Sequence, residues 1–268
     1  MACASAQSEP AGGGINNYPA GPTTPRIWDC SGWKLHDYQV VNSTNLVASD
    51  LPSWSVVRAR TQTAGRGRYQ RSWISDAGGL WLSAVVPAAS AESARVLPLI
   101  AGLALSRVLQ DLGLSAVRMR WPNDLLVNDR KLAGILVDSF RPDAAVIGLG
   151  VNVQNHPETS DAKLCGQTSR LADLVSNPPS LEELTALVLR SIRNEMEAFA
   201  ESGFVLPVAR LNGLWGPPRS VELDLDGDLR RGTFTGIDPE GRLGLWGADG
   251  ALTFYSAHQV RHLTELES

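Results

Sequence analysis

The sequence predicts an α/β protein in two parts, a larger domain of strands and helices followed by a small β-barrel. In the larger part, apolar runs of strand length alternate with two long segments of helical periodicity. The last part changes to short strands with turn signals roughly every 8–12 residues, which is typical of a small barrel. A chain of 268 residues is long enough for one larger and one small domain.

The first residues of the chain have the composition of a flexible segment. Residues 1–26 are rich in Gly, Ala, Pro, Ser and Thr and include a run of three glycines. They bury too little apolar surface to offset the entropy cost of ordering. We therefore expect a tail over residues 1–26, the larger domain over 27–216 and the barrel over 217–268, with the break at Gly216-Pro217-Pro218.

Two long helices are predicted in the larger domain. Apolar residues at three- and four-residue spacing predict a helix over 98–112, with Pro98 in its first turn and Gly113 at its C′ position. A second helix is predicted over 181–199, because an S-x-x-E capping box begins at Ser180.

Short apolar runs predict the strands. Residues 43–45 follow a first apolar pair at 40–41 and suit a turn and a helix N-cap. The segments predicted as strands are 55–60, 80–86, 117–120, 125–127, 132–137 and 145–153 in the larger domain, and 221–225, 234–237, 243–246 and 252–255 in the barrel.

The loop over residues 62–73 carries the strongest local signal. From Arg58 to Arg71 there are five arginines and no acidic residue, although the formal net charge of the chain is −4. Glycines at 65 and 67 let the backbone approach a ligand, and arginines at 66 and 68 offer planar donors to carboxylate or phosphate oxygens. The loop therefore predicts an anion site. A solvated basic loop and an RNA-contacting segment are the alternatives, and a Walker pattern is absent.

Composition limits the class of protein. The net charge of −4 argues against a chain-wide nucleic-acid surface. Cys3, Cys30 and Cys165 have no metal-ligand spacing, so we expect thiols in a reducing compartment, with a catalytic thiolate at Cys165 as the alternative. The four histidines form no cluster and suggest no role. No signal peptide and no apolar stretch of about 20 residues is visible, which predicts a soluble cytoplasmic protein.

Three segments, in this order and spacing, carry a resemblance to a known family. They are Q-T-A-G-R-G-R-Y-Q-R-S-W at 62–73, R-W-P-N-D-L-L-V-N-D-R-K-L-A-G-I-L at 120–136 and G-L-G-V-N-V at 148–153. With S-T-N at 43–45 and T-S at 168–169, they resemble the biotin protein ligase family. The family often has lysine before W-P-N-D, where this chain has Arg120.

The resemblance implies a fold and a reaction. The fold is a mixed β-sheet flanked by helices, with a small C-terminal SH3-like β-barrel. The family activates biotin with ATP and Mg²⁺ as biotinyl-5′-AMP and then transfers it to a lysine of a biotin carboxyl carrier protein. Many bacterial members also have an N-terminal winged helix that binds DNA, whereas the short polar tail here implies no DNA binding. A monomer and a homodimer both stay open.

Residue roles follow from the same resemblance. The catalytic residues are expected to be Lys131, Asp124, Arg66 and Arg68; the cations reduce repulsion between two anions, and Asp124 orients the acceptor amine or takes its proton. The expected biotin-binding residues are Ser43, Thr44, Asn45, Gln62, Gly65, Arg66, Gly67, Arg68, Lys131, Gly134 and Gly148. The expected nucleotide-binding residues are Arg68, Arg71, Trp73, Asn123, Lys131 and Asn152. No resident metal site is expected, because Mg²⁺ should arrive with ATP.

Two alternatives to this function stay open from the sequence. A lipoate ligase or an octanoyl transferase shares the fold and differs in the acid that it transfers. A non-catalytic nucleotide- or RNA-binding regulator would use the same scaffold without the reaction, and the retained Lys131 and Asp124 argue against it.

Overall fold

The computed structural model describes residues 24–88 and 90–266, without the side chains of residues 91, 92, 205 and 206. The tail predicted over residues 1–26 lies outside the described residues as far as residue 23, and so does Cys3. Arg26, which the predicted tail includes, is already the first residue of a strand.

The larger sheet has eight strands. They are β1 (Arg26–Cys30), β2 (Trp33–Val41), β3 (Ser55–Gln62), β4 (Leu80–Pro87), β5 (Val117–Arg120), β6 (Asp124–Val127), β7 (Arg130–Arg141) and β8 (Ala144–Val151). Their order is β1-β2-β3-β4-β8-β7-β6-β5. Only β2 and β3 are parallel neighbours, so the sheet is mixed, as the resemblance implies.

Six helices lie in the described residues. They are α1 (Thr44–Ala48), α2 (Ala91–Asp111), α3 (Pro157–Ser160), α4 (Leu171–Leu174), α5 (Leu181–Ser202) and α6 (Val205–Leu214). The capping box of α5 is confirmed, because Ser180 Oγ accepts from the Glu183 backbone and the Glu183 side chain accepts from the Ser180 backbone. Gly113 has φ +92° just beyond α2, as the C′ prediction requires.

The start of α2 is a correction to the predicted helix over 98–112. The helix begins at Ala91 and its N-cap is Ser90, whose side chain accepts a hydrogen bond from the Ser93 backbone. Pro98 therefore lies inside the helix and not in its first turn. A proline there removes one helical hydrogen bond, and the neighbouring Leu97 and Leu99 offset this cost because both are buried in the core.

The two faces of the larger sheet differ, and this difference positions the site. In β8, Ala145, Ile147, Leu149 and Val151 belong to the main core that also contains α2 and α5. Because side chains alternate along a strand, Gly148 and Gly150 lie on the opposite face. On the face of the sheet opposite α2, part of the β8 backbone is therefore not covered by side chains. α1 packs on the same face, where Ala48 joins a second small core with Val57 and Val146.

The second sheet is antiparallel and contains the last five strands. They are β9 (Arg219–Leu225), β10 (Asp228–Ile237), β11 (Leu243–Gly247), β12 (Leu252–Tyr255) and β13 (His262–Glu265), in the order β12-β11-β10-β9-β13. This sheet agrees with the predicted SH3-like fold. One continuous core joins Val221 and Leu223 to residues of the larger sheet, so the division into domains at 216/217 stays a prediction.

Candidate active site

A cavity of about 330 Å³ opens on the face of the larger sheet that α2 does not cover. Its walls are the loop 62–73, the hairpin of β6 and β7, and residues 260–263, which include the start of β13. Gly148 and Gly150 of β8 form part of its base. A ligand can therefore lie directly on the backbone of the sheet.

Thr44 and Gln62 form one end of the cavity through a fixed hydrogen-bond network. The backbone N and Oγ1 of Thr44 lie 2.8 and 3.0 Å from Gln62 Oε1 and donate to it. Gln62 Nε2 donates to Ser75 Oγ at 2.8 Å, and the buried Ser83 hydroxyl lies 2.7 Å from Thr44 Oγ1. These bonds hold both side chains in place and leave Gln62 one amide proton for a ligand.

Asn45 is held at both ends of its amide. Nδ2 donates to Asp138 Oδ2 at 2.7 Å, and Oδ1 accepts from Ser83 Oγ at 2.6 Å. Asn45 lies directly over Gly148, where an added Cβ would be 2.3 Å from Oδ1. Any side chain at position 148 would therefore clash with Asn45. The position of the S-T-N segment thus requires a glycine at this point of β8.

Lys131, Asp124 and Arg120 form an ion-paired group in the lining of the cavity. Lys131 Nζ lies 2.7 Å from Asp124 Oδ1, and Arg120 Nη2 lies 2.8 Å from Asp124 Oδ2. Burial raises the pKa of Asp124, but the positive charges of Lys131 and Arg120 outweigh it and hold the pKa below the ordinary value of 3.8. This favours the predicted orienting role of Asp124 over the proton-accepting one, because a carboxylate with a lowered pKa is a weak base.

The backbone of Lys131 is held by residues 167–169, which follow a short 3₁₀ helix (Ala162–Leu164) after α3. Lys131 N donates to Gln167 O at 2.8 Å, and Ser169 N donates to Lys131 O at 3.0 Å. Gln167 and Leu164 also line the cavity. The T-S element at 168–169 therefore lies beside the predicted catalytic lysine, as a short parallel bridge between Lys131 and Thr168.

The loop 62–73, called here the cationic loop, contacts residues 256–263, called the C-terminal segment. Arg68 Nη2 donates to the backbone oxygens of Ala257 and Val260, the latter at 3.1 Å. Tyr69 OH donates to Val260 O at 2.8 Å. Burial lowers the pKa of Arg68 from its ordinary value. Arg66, in contrast, is exposed and has no side-chain partner among the described residues, so it is the loop arginine available to an anion.

Trp73 closes the loop over the glycine-rich part of the sheet. An added Cβ at Gly134 would lie 2.8 Å from its ring, and one at Gly150 would lie 2.5 Å from it. Lys131 Nζ is 4.9 Å from the ring centroid, a cation–π distance. The indole Nε1 is buried and has no hydrogen-bond partner in the described structure.

Most of the predicted site residues meet in this cavity. Those that line it are Ser43, Thr44, Asn45, Gln62, Arg66, Gly67, Arg68, Arg71, Trp73, Asn123, Asp124, Lys131, Gly134 and Gly148. Among them, Asn123 uses its side chain to donate to Ile135 O at 2.8 Å, which ties β6 to β7.

Gly65 and Asn152 do not line the cavity, so their expected roles in ligand contact stay predictions. A Cβ at Gly65 would lie 2.4 Å from Trp73 O, so this glycine lets the cationic loop fold on itself. The Asn152 side chain is buried and accepts a hydrogen bond from Asn155 Nδ2 at 3.0 Å. Asn152 therefore stabilises a turn after β8.

Several residues that line the cavity or support its lining were not predicted from the sequence. Ser83 and Asp138 orient the S-T-N segment, and neither has a local pattern that distinguishes it from an ordinary strand residue. His262 at the start of β13, and Arg261 just before it, also line the cavity. Only long-range folding places them there, so no spacing rule could have found them.

No three His, Cys, Asp or Glu side chains within residues 24–88 and 90–266 are grouped as a metal site would require. No helix of the described part has the length and apolar character needed to cross a membrane. Burial raises the pKa of Cys30, while Cys165 is exposed beside the cavity-lining Leu164.

The fold and the site define the class of protein. A family model described as the biotin/lipoate A/B protein ligase family matches residues 37–152, which include the cationic loop, Asp124 and Lys131. The structure is similar to that of a biotin protein ligase from Aquifex aeolicus in complex with biotin and ATP, with a TM-score of 0.76, 23% identity and coverage of 87% of this chain and 99% of that one. A biotin protein ligase from Leishmania major in complex with biotinyl-5-AMP gives a TM-score of 0.56 at 26% identity, covering 83% and 98% of the two chains.

Curated relatives narrow the class. A biotin–[acetyl-CoA-carboxylase] ligase of Mycobacterium tuberculosis is 31% identical over 250 residues, which are 87% of this chain and 91% of the relative. One from Paracoccus denitrificans is 31% identical, over 76% of this chain and 89% of the relative. The chain spans only 66% of the bifunctional ligase/repressor BirA of Escherichia coli, to which it is 32% identical. The chain belongs to the biotin protein ligase family.

Proposed function

We propose that this protein activates biotin with ATP as biotinyl-5′-AMP and transfers the biotinyl group to a lysine of a biotin carboxyl carrier protein. The observation that carries the proposal is the cavity in which Lys131, Arg120 and the cationic loop surround a single carboxylate, that of Asp124. Such a site suits two negatively charged substrates that must meet.

The first step needs a cation between two anions. The biotin carboxylate attacks the α-phosphate of ATP, and pyrophosphate leaves. Lys131 lines the same cavity as the S-T-N segment and its ammonium lies 4.9 Å from the centroid of the Trp73 ring, so it would stabilise charge on both reactants. Asp124 holds that ammonium in place through their ion pair. Arg66 supplies a second charge from a loop that folds over the reactants.

The second step uses the same position. A lysine amine of the acceptor attacks the carbonyl carbon of the mixed anhydride, and AMP leaves with the bonding electrons. Lys131 and the cationic loop would stabilise the charge that develops on the phosphate. Trp73 and the loop would exclude water, because the anhydride is hydrolysed when exposed.

The residues of the cavity fit a Mg²⁺ ion that enters bound to ATP. Asp124 is the only carboxylate among the residues that line the described cavity, and two cations occupy both its oxygens. The protein therefore offers no carboxylate cage for Mg²⁺. The ion would be held mainly by triphosphate oxygens and water, as is common for Mg²⁺–nucleotide complexes. The absence of DNA binding and the cytoplasmic location stay predictions.

Pyrophosphate exchange tests the activity and the choice of acid. Purified protein with ATP, Mg²⁺ and labelled pyrophosphate should form labelled ATP when biotin is present and not when lipoate or octanoate replaces it. Addition of a biotin carboxyl carrier domain should then increase the mass of that domain by one biotinyl group. Exchange with lipoate in place of biotin would favour the lipoate ligase alternative.

Lys131→Ala tests the central cation. We expect exchange to fall by at least about 10²-fold, the scale of losing one electrostatic contact to a transition state. Lys34→Ala is the matched control, since Lys34 is exposed on β2 and does not line the cavity. Equal activity of the two variants, with both folded by circular dichroism, would remove Lys131 from its proposed role.

A further inference from the structure

Gln167 lines the cavity at the end away from the S-T-N segment. At the S-T-N end, Asn45 packs over Gly148, which pairs with Leu136 of β7. Lys131 lies five residues before Leu136 on the same strand, and its backbone N donates to Gln167 O at 2.8 Å. Since a strand rises about 3.3 Å per residue, the two ends of the cavity are roughly 15 Å apart. Gln167 therefore lies beside the backbone of Lys131 and far from the S-T-N segment.

The side-chain amide of Gln167 is held in one orientation and keeps two unused hydrogen-bonding positions. Nε2 donates to Lys163 O at 2.9 Å, and because a carbonyl oxygen only accepts, the amide cannot turn over without losing this bond. Oε1 has no partner among the described residues, and Nε2 has a second proton. The backbone N of Gln167 donates to Leu164 O at 2.9 Å, which fixes the main chain as well. Gln167 thus offers a ligand one acceptor and one donor, side by side.

The charges of the cavity lining separate a place for phosphate from a place for a base. Arg66 of the cationic loop and Arg261 of the C-terminal segment are cations that suit phosphate oxygens. Residues 164–169 carry no charge, and Leu164 adds an apolar surface to this part of the lining. A free carbonyl oxygen such as Gln167 Oε1 repels phosphate, whereas a base presents apolar faces and hydrogen-bonding edges. With biotin at the S-T-N end, the base is the part of the substrates that matches Gln167.

Asn123 also has an amide oxygen without a partner in the described structure, but it lies elsewhere in the cavity. Its Nδ2 donates to Ile135 O at 2.8 Å. Ile135 is the neighbour of Leu136, at the S-T-N end of β7. Asn123 also directly precedes Asp124, whose carboxylate is ion-paired with Lys131. Asn123 therefore lies nearer to the S-T-N segment than Gln167 does, and it is a poorer match for the base.

We propose that Gln167 selects the base of the nucleotide, an inference that rests on the proposed function above. Oε1 accepts a hydrogen bond from the exocyclic amino group of adenine, and the second Nε2 proton is donated to the ring nitrogen beside that group. A glutamine amide matches adenine through this pair of atoms. A purine with a carbonyl oxygen in place of the amino group sets two acceptors against each other. The site therefore favours ATP over inosine triphosphate (ITP), which has that oxygen.

Biotin-dependent exchange of labelled pyrophosphate into ATP and into ITP measures base selection. The wild type should use ATP with the higher kcat/KM. Gln167→Met keeps the length of the side chain and removes both amide groups, while the backbone bond to Lys131 persists. We expect its ratio of kcat/KM for ATP to that for ITP to fall by about three- to tenfold, the scale of one neutral hydrogen bond. KM for biotin should stay unchanged. Gln154→Met is the matched control, because Gln154 is exposed and does not line the cavity, and it should keep the wild-type ratio.

Several results would overturn the assignment of Gln167. One is equal use of ATP and ITP by the wild type, and another is an unchanged ratio in Gln167→Met. Exchange with 2′-deoxy-ATP tests the ribose: a variant that changes only the preference for ATP over 2′-deoxy-ATP would place Gln167 on a hydroxyl group and not on the base. If Gln167→Met is inactive with both purines, Kd values for ATP and ITP from calorimetry give the same comparison. Absence of biotin-dependent exchange in the wild type would instead overturn the proposed function.

Discussion

The orientation of the Asn45 amide is set by two neighbours that no local sequence pattern connects to it. Asp138 accepts from its Nδ2, and Ser83 donates to its Oδ1. The amide therefore cannot turn over without losing both bonds. Because Asn45 lines the cavity at the S-T-N end, Asp138 fixes which hydrogen-bonding atom a ligand meets there.

Asp138→Asn should weaken biotin binding while the fold is kept. The new amide no longer distinguishes the two ends of Asn45, so its orientation becomes mixed. A hydrogen bond to a charged group contributes about 1.5–3 kcal/mol, and we expect KM for biotin to rise by about tenfold or more. KM for ATP should change less. Asp143→Asn is the control, since Asp143 is 80% exposed at the end of the same hairpin; an equal rise in KM there would contradict the argument.

Gly150 lies directly under the indole ring of Trp73, so the Cβ that Gly150→Ala adds should displace that ring. A Cβ at Gly150 would lie 2.5 Å from the indole, so Gly150→Ala forces a shift that costs about 1–3 kcal/mol. We expect weaker ATP binding by calorimetry and little change in biotin binding. Gly213→Ala is the control, because a Cβ there meets nothing within 4 Å in helix α6. Unchanged ATP affinity in Gly150→Ala would show that the Trp73 position is unimportant.

The cationic loop is an element held mainly by its ends and by one contact at its tip. Trp73 N donates to Gly65 O at 2.9 Å, and Gly67 N donates to Arg71 O at 2.7 Å. Tyr69 and Gln70 have φ of +55° and +60°, a left-handed backbone that costs non-glycine residues roughly 1 kcal/mol or more each. The contacts of Arg68 and Tyr69 with the C-terminal segment offset that strain.

Tyr69→Phe should loosen the loop without removing a charge from the cavity. Losing the hydroxyl that donates to Val260 O removes about 1 kcal/mol from the closed loop. Limited proteolysis should then cut residues 63–72 faster, and biotin with ATP should protect the wild type more than the variant. Tyr38→Phe on β2 is the control and should match the wild type. Equal cutting of the wild type with and without ligands would contradict a loop that closes over them.

The two sheets are joined into one molecule by a shared core and by an ion-pair group. Arg118 of β5 binds both oxygens of Glu265 on β13, at 2.8 and 2.6 Å, and Arg219 also lies 3.2 Å from Glu265. Burial raises the pKa of Glu265, but the hydrogen bond and charge of Arg118 and the charge of Arg219 lower it more, so the net shift is downward from 4.5. β5 leads directly to the hairpin that carries Asp124, so this group also fixes the second sheet beside the cavity.

Glu265→Gln should destabilise the whole protein in a pH-dependent way. We expect a loss of about 1–3 kcal/mol in unfolding free energy, less than for a fully buried pair because Glu265 is 22% exposed. Since the pKa of Glu265 is lowered on folding, its contribution is complete above about pH 4.5 and is lost as pH falls through the folded value. Urea unfolding at several pH values measures this. Glu240→Gln, with a 57% exposed side chain, is the control and should cost less than about 1 kcal/mol.

Local patterns in the sequence were sufficient for several elements of this molecule. Examples are the capping box at Ser180, the apolar run of β4 and the hairpin of β6 and β7. Each depends only on residues that are close together in the sequence. The cationic loop could be recognised from composition alone, because its three arginines, Arg66, Arg68 and Arg71, have no acidic residue near them in the sequence and need an anion or solvent. By contrast, β1, α6 and β13 have weak patterns and were not predicted.

The sequence alone determined the class of fold, the cationic loop and the motif that contains Asp124 and Lys131, because these depend on periodicity and on residues close together in the chain. The tertiary structure decided which of those residues share a cavity. It brought Arg68 to Val260, 192 residues away, placed His262 beside Arg71, and left Asn152 and Gly65 outside the lining of the cavity. The physical reason is that contacts between residues far apart in the sequence depend on how the whole core packs. A short segment of sequence carries no information about that packing.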